Sequence, residues 1–224
     1  MANCKLCEKW FLLPLKNGLC RDCTLIVQAD IKQRSEIITE SHRIAETSKN
    51  IDSILSRIDT MIENFEQLLP YDQRGISTTE TPPKTGIKRC REAKIQAIVH
   101  YINDQWVRAR DKSSNAKSHS AKTNPYNKVL EKITEYQIKL DDISELERLE
   151  HEIRKEQADE VVNFHMESAE KAEFKSQNKK ALDQYLEALY VMRKDVVPDS
   201  EQKQMIEHAK TKVREFGGVV PDDN

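Results

Sequence analysis

Glycine is scarce in this chain, at 5 of 224 residues, and aromatic residues make up only 6%. So few glycines leave little material for a phosphate-cradling loop, and Lys84-Thr85-Gly86 lacks the order of a Walker motif. There is no His-Glu-x-x-His sequence and no Glu-x-x-His pair of the kind that builds di-iron helix sites. No catalytic constellation is legible, and the chain reads as non-enzymatic. The six histidines (42, 100, 119, 151, 165 and 208) are scattered, as surface or half-buried residues are. No apolar run approaches the roughly 20 residues needed to span a bilayer, so no membrane association is expected. No signal-peptide pattern precedes Cys4, which together with reduced thiols gives the expectation of a cytoplasmic protein. The net charge of −2 predicts no global attraction to polyanions. Few aromatics argue against one large core, whereas 33% charged residues with little glycine point to helices with solvated faces.

Cysteine is also sparse, but four of the five residues fall in two pairs. Cys4, Cys7, Cys20 and Cys23 form C-x2-C-x12-C-x2-C, a spacing that brings four thiolates to one tetrahedral centre. Two disulfides would need an oxidising compartment. A segment of roughly 25 residues buries too little apolar surface to fold unaided, and metal binding worth about 10–16 kcal/mol in finger peptides is the usual remedy. Zn2+ is the expected metal, with iron as the chemical alternative for four sulfurs. With four protein ligands no coordination position stays open, which points to a structural role rather than a catalytic one. Trp10-Phe11-Leu12-Leu13 predicts a short strand, Lys16-Asn17-Gly18 a tight turn, and Leu25-Ile26-Val27 the opening of a helix. Residues 3–30, through this spacing and the Asn17-Gly18-Leu19-Cys20 turn, resemble the treble-clef and zinc-ribbon modules. Cys90 lies among Lys88, Arg89 and Arg91, which predicts a lowered thiol pKa.

The rest reads as mainly α: a small metal-bound module, then long coiled-coil-like helices, then a C-terminal helical hairpin or three-helix unit. Residues 1–30 form the metal module. Over 31–69, Ile37, Ile44, Ile51, Ile58 and Phe65 recur every seven residues, with Ser41, Ser48, Leu55, Ile62 and Leu69 on the second seam position. Ile54, Met61 and Leu68 add a third stripe, so this long helix requires helical cover, from residues 128–165 or from a second copy in a homodimer. Pro70 is expected to end it, with 70–87 a linker. Residues 88–127 are a basic helix with Ile95, Ile98, Ile102, Trp106 and Ala109 on one face, followed by a polar loop. Residues 128–165 are a long acidic helix with Val129, Ile133, Tyr136, Leu140, Ile143, Leu146, Leu149, Ile153, Val161 and Phe164 along its seam. In 166–224, Ala181, Tyr185 and Ala188 are similar in spacing to the second helix of a tetratricopeptide repeat. His165, Ser168-Ala169 and Ala172 depart from the first-helix pattern of that family. Pro198-Asp199-Ser200-Glu201-Gln202 marks a helix start, with Asp199 or Ser200 as cap and Gln202 able to close a capping box.

Charge is uneven along the chain. Residues 84–128 carry eleven Lys and Arg against Glu92, Asp104 and Asp111, a balance of +8, and residues 129–160 carry eleven Asp and Glu against five Lys and Arg, a balance of −6. Either the two segments pair, or the basic one is a polyanion-binding face. Two function classes follow. One is a zinc-containing interaction or adaptor protein that binds a protein partner through its helical regions. The other is a nucleic-acid-binding regulator using the metal module, with Trp10, Phe11, Lys5, Lys9, Lys16 and Arg21, together with the 84–128 segment. The slight overall acidity favours the first and makes nucleic-acid binding weak.

Overall fold

A computed structural model describes residues 2–12 and 15–220, apart from the side chains of Lys16 and Asp199. Among the described residues the chain is mainly α. Two short strands, β1 (Ala2–Asn3) and β2 (Trp10–Phe11), and a 3-10 turn (Lys16–Gly18) precede seven helices. These are α1 (Arg21–Thr47), α2 (Ile51–Gln73), α3 (Pro83–Ser114), α4 (His119–Gln137), α5 (Ser144–Phe174), α6 (Asn178–Lys194) and α7 (Asp199–Glu215). The chain divides after Tyr101 into two compact units, and α3 crosses the division.

In the first unit, the long helix expected over 31–69 is a hairpin. α1 stops at Thr47 and α2 starts at Ile51, where the Asn50 side chain caps the new helix by accepting from the Ser53 N–H at 3.0 Å. α1 and α2 then pack on each other, so the seam residues of the two halves face one another rather than an external helix. Ser41 is buried in that interface alongside Leu55, Ile58, Met61, Phe65 and Leu68. The third stripe is covered from within the unit, since Ile87 and Cys90 of α3 pack against Ile54, Ile58, Met61 and Phe65. The cover expected from residues 128–165 or from a second copy is thus supplied, for these seam residues, by α1, α2 and the start of α3 themselves. Pro70 does not end α2, which continues to Gln73. Pro70 is exposed and leaves the Glu66 carbonyl without its helical N–H donor, while buried Leu68 and half-buried Tyr71 hold this part of the helix in place. The linker therefore shortens to 74–82. Gly86 allows close approach at the start of α3, where a Cβ would fall 2.6 Å from the Phe65 ring.

The second unit repeats this pattern. The polar loop expected before Pro125 is only 115–118, and Pro125 lies within α4, whose Ser118 cap accepts from the Ala121 N–H at 3.3 Å. The acidic helix expected over 128–165 breaks at 138–143. Asp142 Oδ1 accepts from the Ser144 N–H at 3.0 Å and starts α5. Val129, Ile133 and Tyr136 on α4 and Leu146, Leu149 and Ile153 on α5 are all buried, in a hairpin instead of a continuous seam. α5 runs past 165 to Phe174, then α6 packs on α5 and α7 on α6. Ala169, Ala172, Ala181 and Ala188 are buried around Tyr185, and their small side chains let the helix axes approach. α7 begins at Asp199 with Pro198 at its cap. Gln202 does not close a capping box: its Nε2 donates to Asp195 Oδ2 at 2.9 Å. The expected cap role of the Asp199 side chain lies outside the described residues.

A charged network ties α3 and α4 to α5. Arg110 donates to both carboxylate oxygens of Glu156 at 2.7 and 2.5 Å, and the buried Tyr126 hydroxyl donates to Glu156 at 2.8 Å. Lys122 adds an ion pair with Glu160 at 2.8 Å. Burial raises the Glu156 carboxyl, but the Arg110 and Tyr126 hydrogen bonds outweigh it and hold the group below its ordinary value. A carboxylate depressed in the folded state contributes stability that is complete above the unfolded pKa, near 4.3, and is lost as pH falls through the folded value. Urea unfolding should therefore show a steeper loss of stability below about pH 4.3 for the native chain than for Glu156→Gln. In the first unit, Ile58→Ala should cost about 2–5 kcal/mol in the same assay. Ile138→Ala, at a residue 84% exposed, should stay within about 0.5 kcal/mol of the native chain.

Candidate metal centre

The sulfur atoms of Cys4, Cys7, Cys20 and Cys23 lie within 4.8 Å of one another, and the four predicted ligand residues are brought together as expected. Two local structures place them. β1 and β2 pair antiparallel, Ala2 with Phe11 and Asn3 with Trp10, so the hairpin encloses the first cysteine pair. Of the strand predicted over Trp10-Phe11-Leu12-Leu13, Trp10–Phe11 forms as β2 and pairs back with β1, not across the Lys16–Gly18 turn; Leu13 lies outside the described residues. The tip of this knuckle is closed by the Glu8 N–H donating to the Cys4 carbonyl and the Cys4 N–H to the Lys9 carbonyl, both at 2.9 Å. Glu8 takes a φ of 61° to make that turn. The second pair is held by α1: Cys20 occupies its N-cap and Cys23 its first turn. The positive end of the helix thus lies beside two of the four sulfurs.

The distances fit a metal. A regular tetrahedron with metal–sulfur bonds of about 2.3 Å has sulfur–sulfur edges of about 3.8 Å, and Cys7 and Cys20 Sγ are 3.8 Å apart. Backbone groups already serve the sulfurs, since the Cys20 N–H donates to Cys4 Sγ at 3.3 Å. Burial raises the Cys4 thiol, but backbone N–H groups of Cys7, Cys20 and Leu6 outweigh it and bring the group down to about 6. Hydrogen bonding with Cys20, then burial, then the Cys7 and Cys4 sulfurs push Cys23 up to about 12. Ionising all four sulfurs would meet this burial and, at such short spacing, their mutual repulsion unless a cation lies among them. A thiophilic dication removes that conflict, and four sulfurs at this spacing leave no ligand position for substrate.

The centre is built into the first unit. Cys4, Leu19, Cys20, Cys23, Val27 and Ile76 share a core with Leu6, Phe11, Leu15, Ile31 and Tyr71 around it. Lys5, between the first two ligands, carries the connection further. Its N–H donates to the Gly18 carbonyl at 2.8 Å, its side chain crosses Gly18, where a Cβ would come within 2.6 Å of it, and its Nζ donates to the Gly75 carbonyl at 2.7 Å. Gly18 has a φ of 78° and Gly75 of 68°, so both sites need glycine's conformational freedom. Tyr71 of α2 completes the connection, its hydroxyl donating to Asp30 Oδ2 of α1 at 3.0 Å. Sequence reasoning placed Lys5 only as a positive charge beside the knuckle. The Asn-Gly turn over which it lies was legible, but its partner is 70 residues away. Cys90 differs from expectation: burial raises its thiol, and the neighbouring cations do not lower it.

Metal analysis of the purified chain should give close to one equivalent, and X-ray absorption should show four sulfurs at about 2.3 Å. Cys20→Ala should release the metal. Gly18→Ala should lower stability by about 1–3 kcal/mol through the left-handed backbone and displace Lys5. In comparisons with known proteins, the chain matches no family model, no curated protein and no solved structure.

Proposed function

We propose that this chain is a non-enzymatic, zinc-anchored helical adaptor that binds a protein partner. The observation that carries the reading is the four-sulfur cluster, whose donor set and spacing suit Zn2+ in a closed, treble-clef-like structural site. The metal's work is to hold the knuckle against the start of α1 and the end of α2. Around it the chain exposes apolar side chains on the elements the cysteines fix: Trp10 on β2, Leu12 just after it, and Leu25 and Ile26 on the first turns of α1. Side chains of this kind, carried on rigid backbone, are suited to a protein contact. The C-terminal helices α5 to α7, with the tetratricopeptide-like spacing of Ala181, Tyr185 and Ala188, are a second helical surface for such a partner.

The nucleic-acid reading draws less support from the basic segment than its +8 balance implies. Lys94 pairs with Asp59 at 2.7 Å, Arg110 with Glu156 at 2.5 Å and Lys122 with Glu160 at 2.8 Å, so part of the charge is internal pairing. Any DNA binding should be independent of sequence and largely lost between about 50 and 200 mM salt. Affinity capture of the full chain should recover a protein partner whether or not nuclease is present, and Leu25→Asp with Ile26→Asp should abolish it while leaving the metal content unchanged. Replacing exposed Lys84, Arg108, Lys112 and Lys117 with Gln should leave capture intact. A specific nucleic acid retained at 200 mM salt and lost on those four changes would replace the adaptor reading with the regulator.

A further inference from the structure

Where α1, α2 and the start of α3 meet, a cavity of about 430 Å3 opens beside the core of the first unit. Its apolar lining comes from Ile38, Met61, Phe65, Cys90 and Ala93, with Thr39, Thr81, His42 and Arg89 as the polar groups. The volume falls within the range of about 300–1,000 Å3 typical of small-molecule sites. No Asp or Glu lines it. His42 has Glu46 3.5 Å away, whereas Arg89 has no carboxylate within ion-pair distance among the described residues. Thr81 and Gly86 place the cavity beside the first turn of α3, whose dipole adds positive potential. A half-open cleft with an apolar floor, at which the lining charge without a carboxylate partner is a guanidinium, is complementary to a ligand with a hydrocarbon body and an anionic end. A thiol at its wall that burial keeps protonated adds no opposing charge.

We propose that this cavity binds a small amphiphilic carboxylate, its chain against Met61, Phe65 and Cys90 and its carboxylate on Arg89. The site is separate from the metal centre and independent of the adaptor reading. Octanoate, with octanol as its neutral counterpart, is the probe. With the metal-loaded full chain, calorimetry should show saturable octanoate binding at one site per chain. Octanoate should slow alkylation of Cys90, mapped by peptide mass, because Cys90 is the one cysteine outside the cluster. Arg89→Gln, a change at an exposed position, should weaken octanoate roughly tenfold or more and leave octanol unchanged. Ala93→Phe, which fills the mouth, should remove binding of both while circular dichroism remains native. Equal octanoate affinity in the native and Arg89→Gln chains would overturn the proposal, as would binding that leaves Cys90 alkylation unaffected. Absence of saturable binding to a natively folded chain would do the same.

Discussion

Four sulfurs within 4.8 Å of one another are a constraint that the N-terminal segment satisfies only as a unit. The backbone N–H groups around Cys4 favour one thiolate. All four together require a compensating cation. The two-stranded hairpin, the Lys16–Gly18 turn and the first turn of α1 contain too little apolar surface to hold their arrangement without help. What surface they have is shared with the helices: Val27, Ile31, Tyr71 and Ile76 complete the core around the cysteines. Lys5 then turns a local knuckle into a tertiary connection by lying over Gly18 and donating to the Gly75 carbonyl just past the end of α2. The centre and the α1–α2 hairpin therefore stabilise each other.

Much of this was legible in the sequence because it depends on local spacing. The C-x2-C pairs, the Asn17-Gly18 turn, the break near Ser176-Gln177-Asn178 and the start of α7 after Val197 are set by residues within a few positions of one another. The apolar stripes were also legible, and nearly every seam residue named from periodicity on α2, α4 and α5 is buried or half-buried. Which stripe faces which was not. The step from Ile44 to Ile51 keeps the seven-residue spacing across a chain reversal, so the heptad concealed a turn that Ser48-Lys49-Asn50 marks by its cap. The step from Leu140 to Ile143 concealed another, marked by Asp142. A periodic pattern reports a buried face and not the direction of the partner, whereas a capping side chain reports the end of a helix.

Charge followed the same division. The excess of Lys and Arg over 84–128 and of Asp and Glu over 129–160 was visible by counting. The structure shows its use at Arg110 and Glu156, where a buried tyrosine hydroxyl joins the pair, and at Lys122 and Glu160. Those contacts join residues 46 and 38 positions apart, brought together only when the end of α3 and the start of α4 pack against α5. Cys90 shows the converse. Its sequence neighbours are cations, but a helix sends consecutive residues to different faces, so the thiol enters the core while Arg89 and Arg91 remain exposed.

The dependence of the hairpin on the centre is open to direct measurement by amide hydrogen exchange with and without chelator. The account predicts that metal removal exposes amides in residues 2–31 and also those of residues 71–76, which are distant in sequence but joined through Lys5, Tyr71 and Ile76. Protection in α5 to α7 should be unchanged. Loss of protection confined to residues 2–20, with residues 71–76 exchanging as before, would contradict the claim that the centre anchors the helical hairpin.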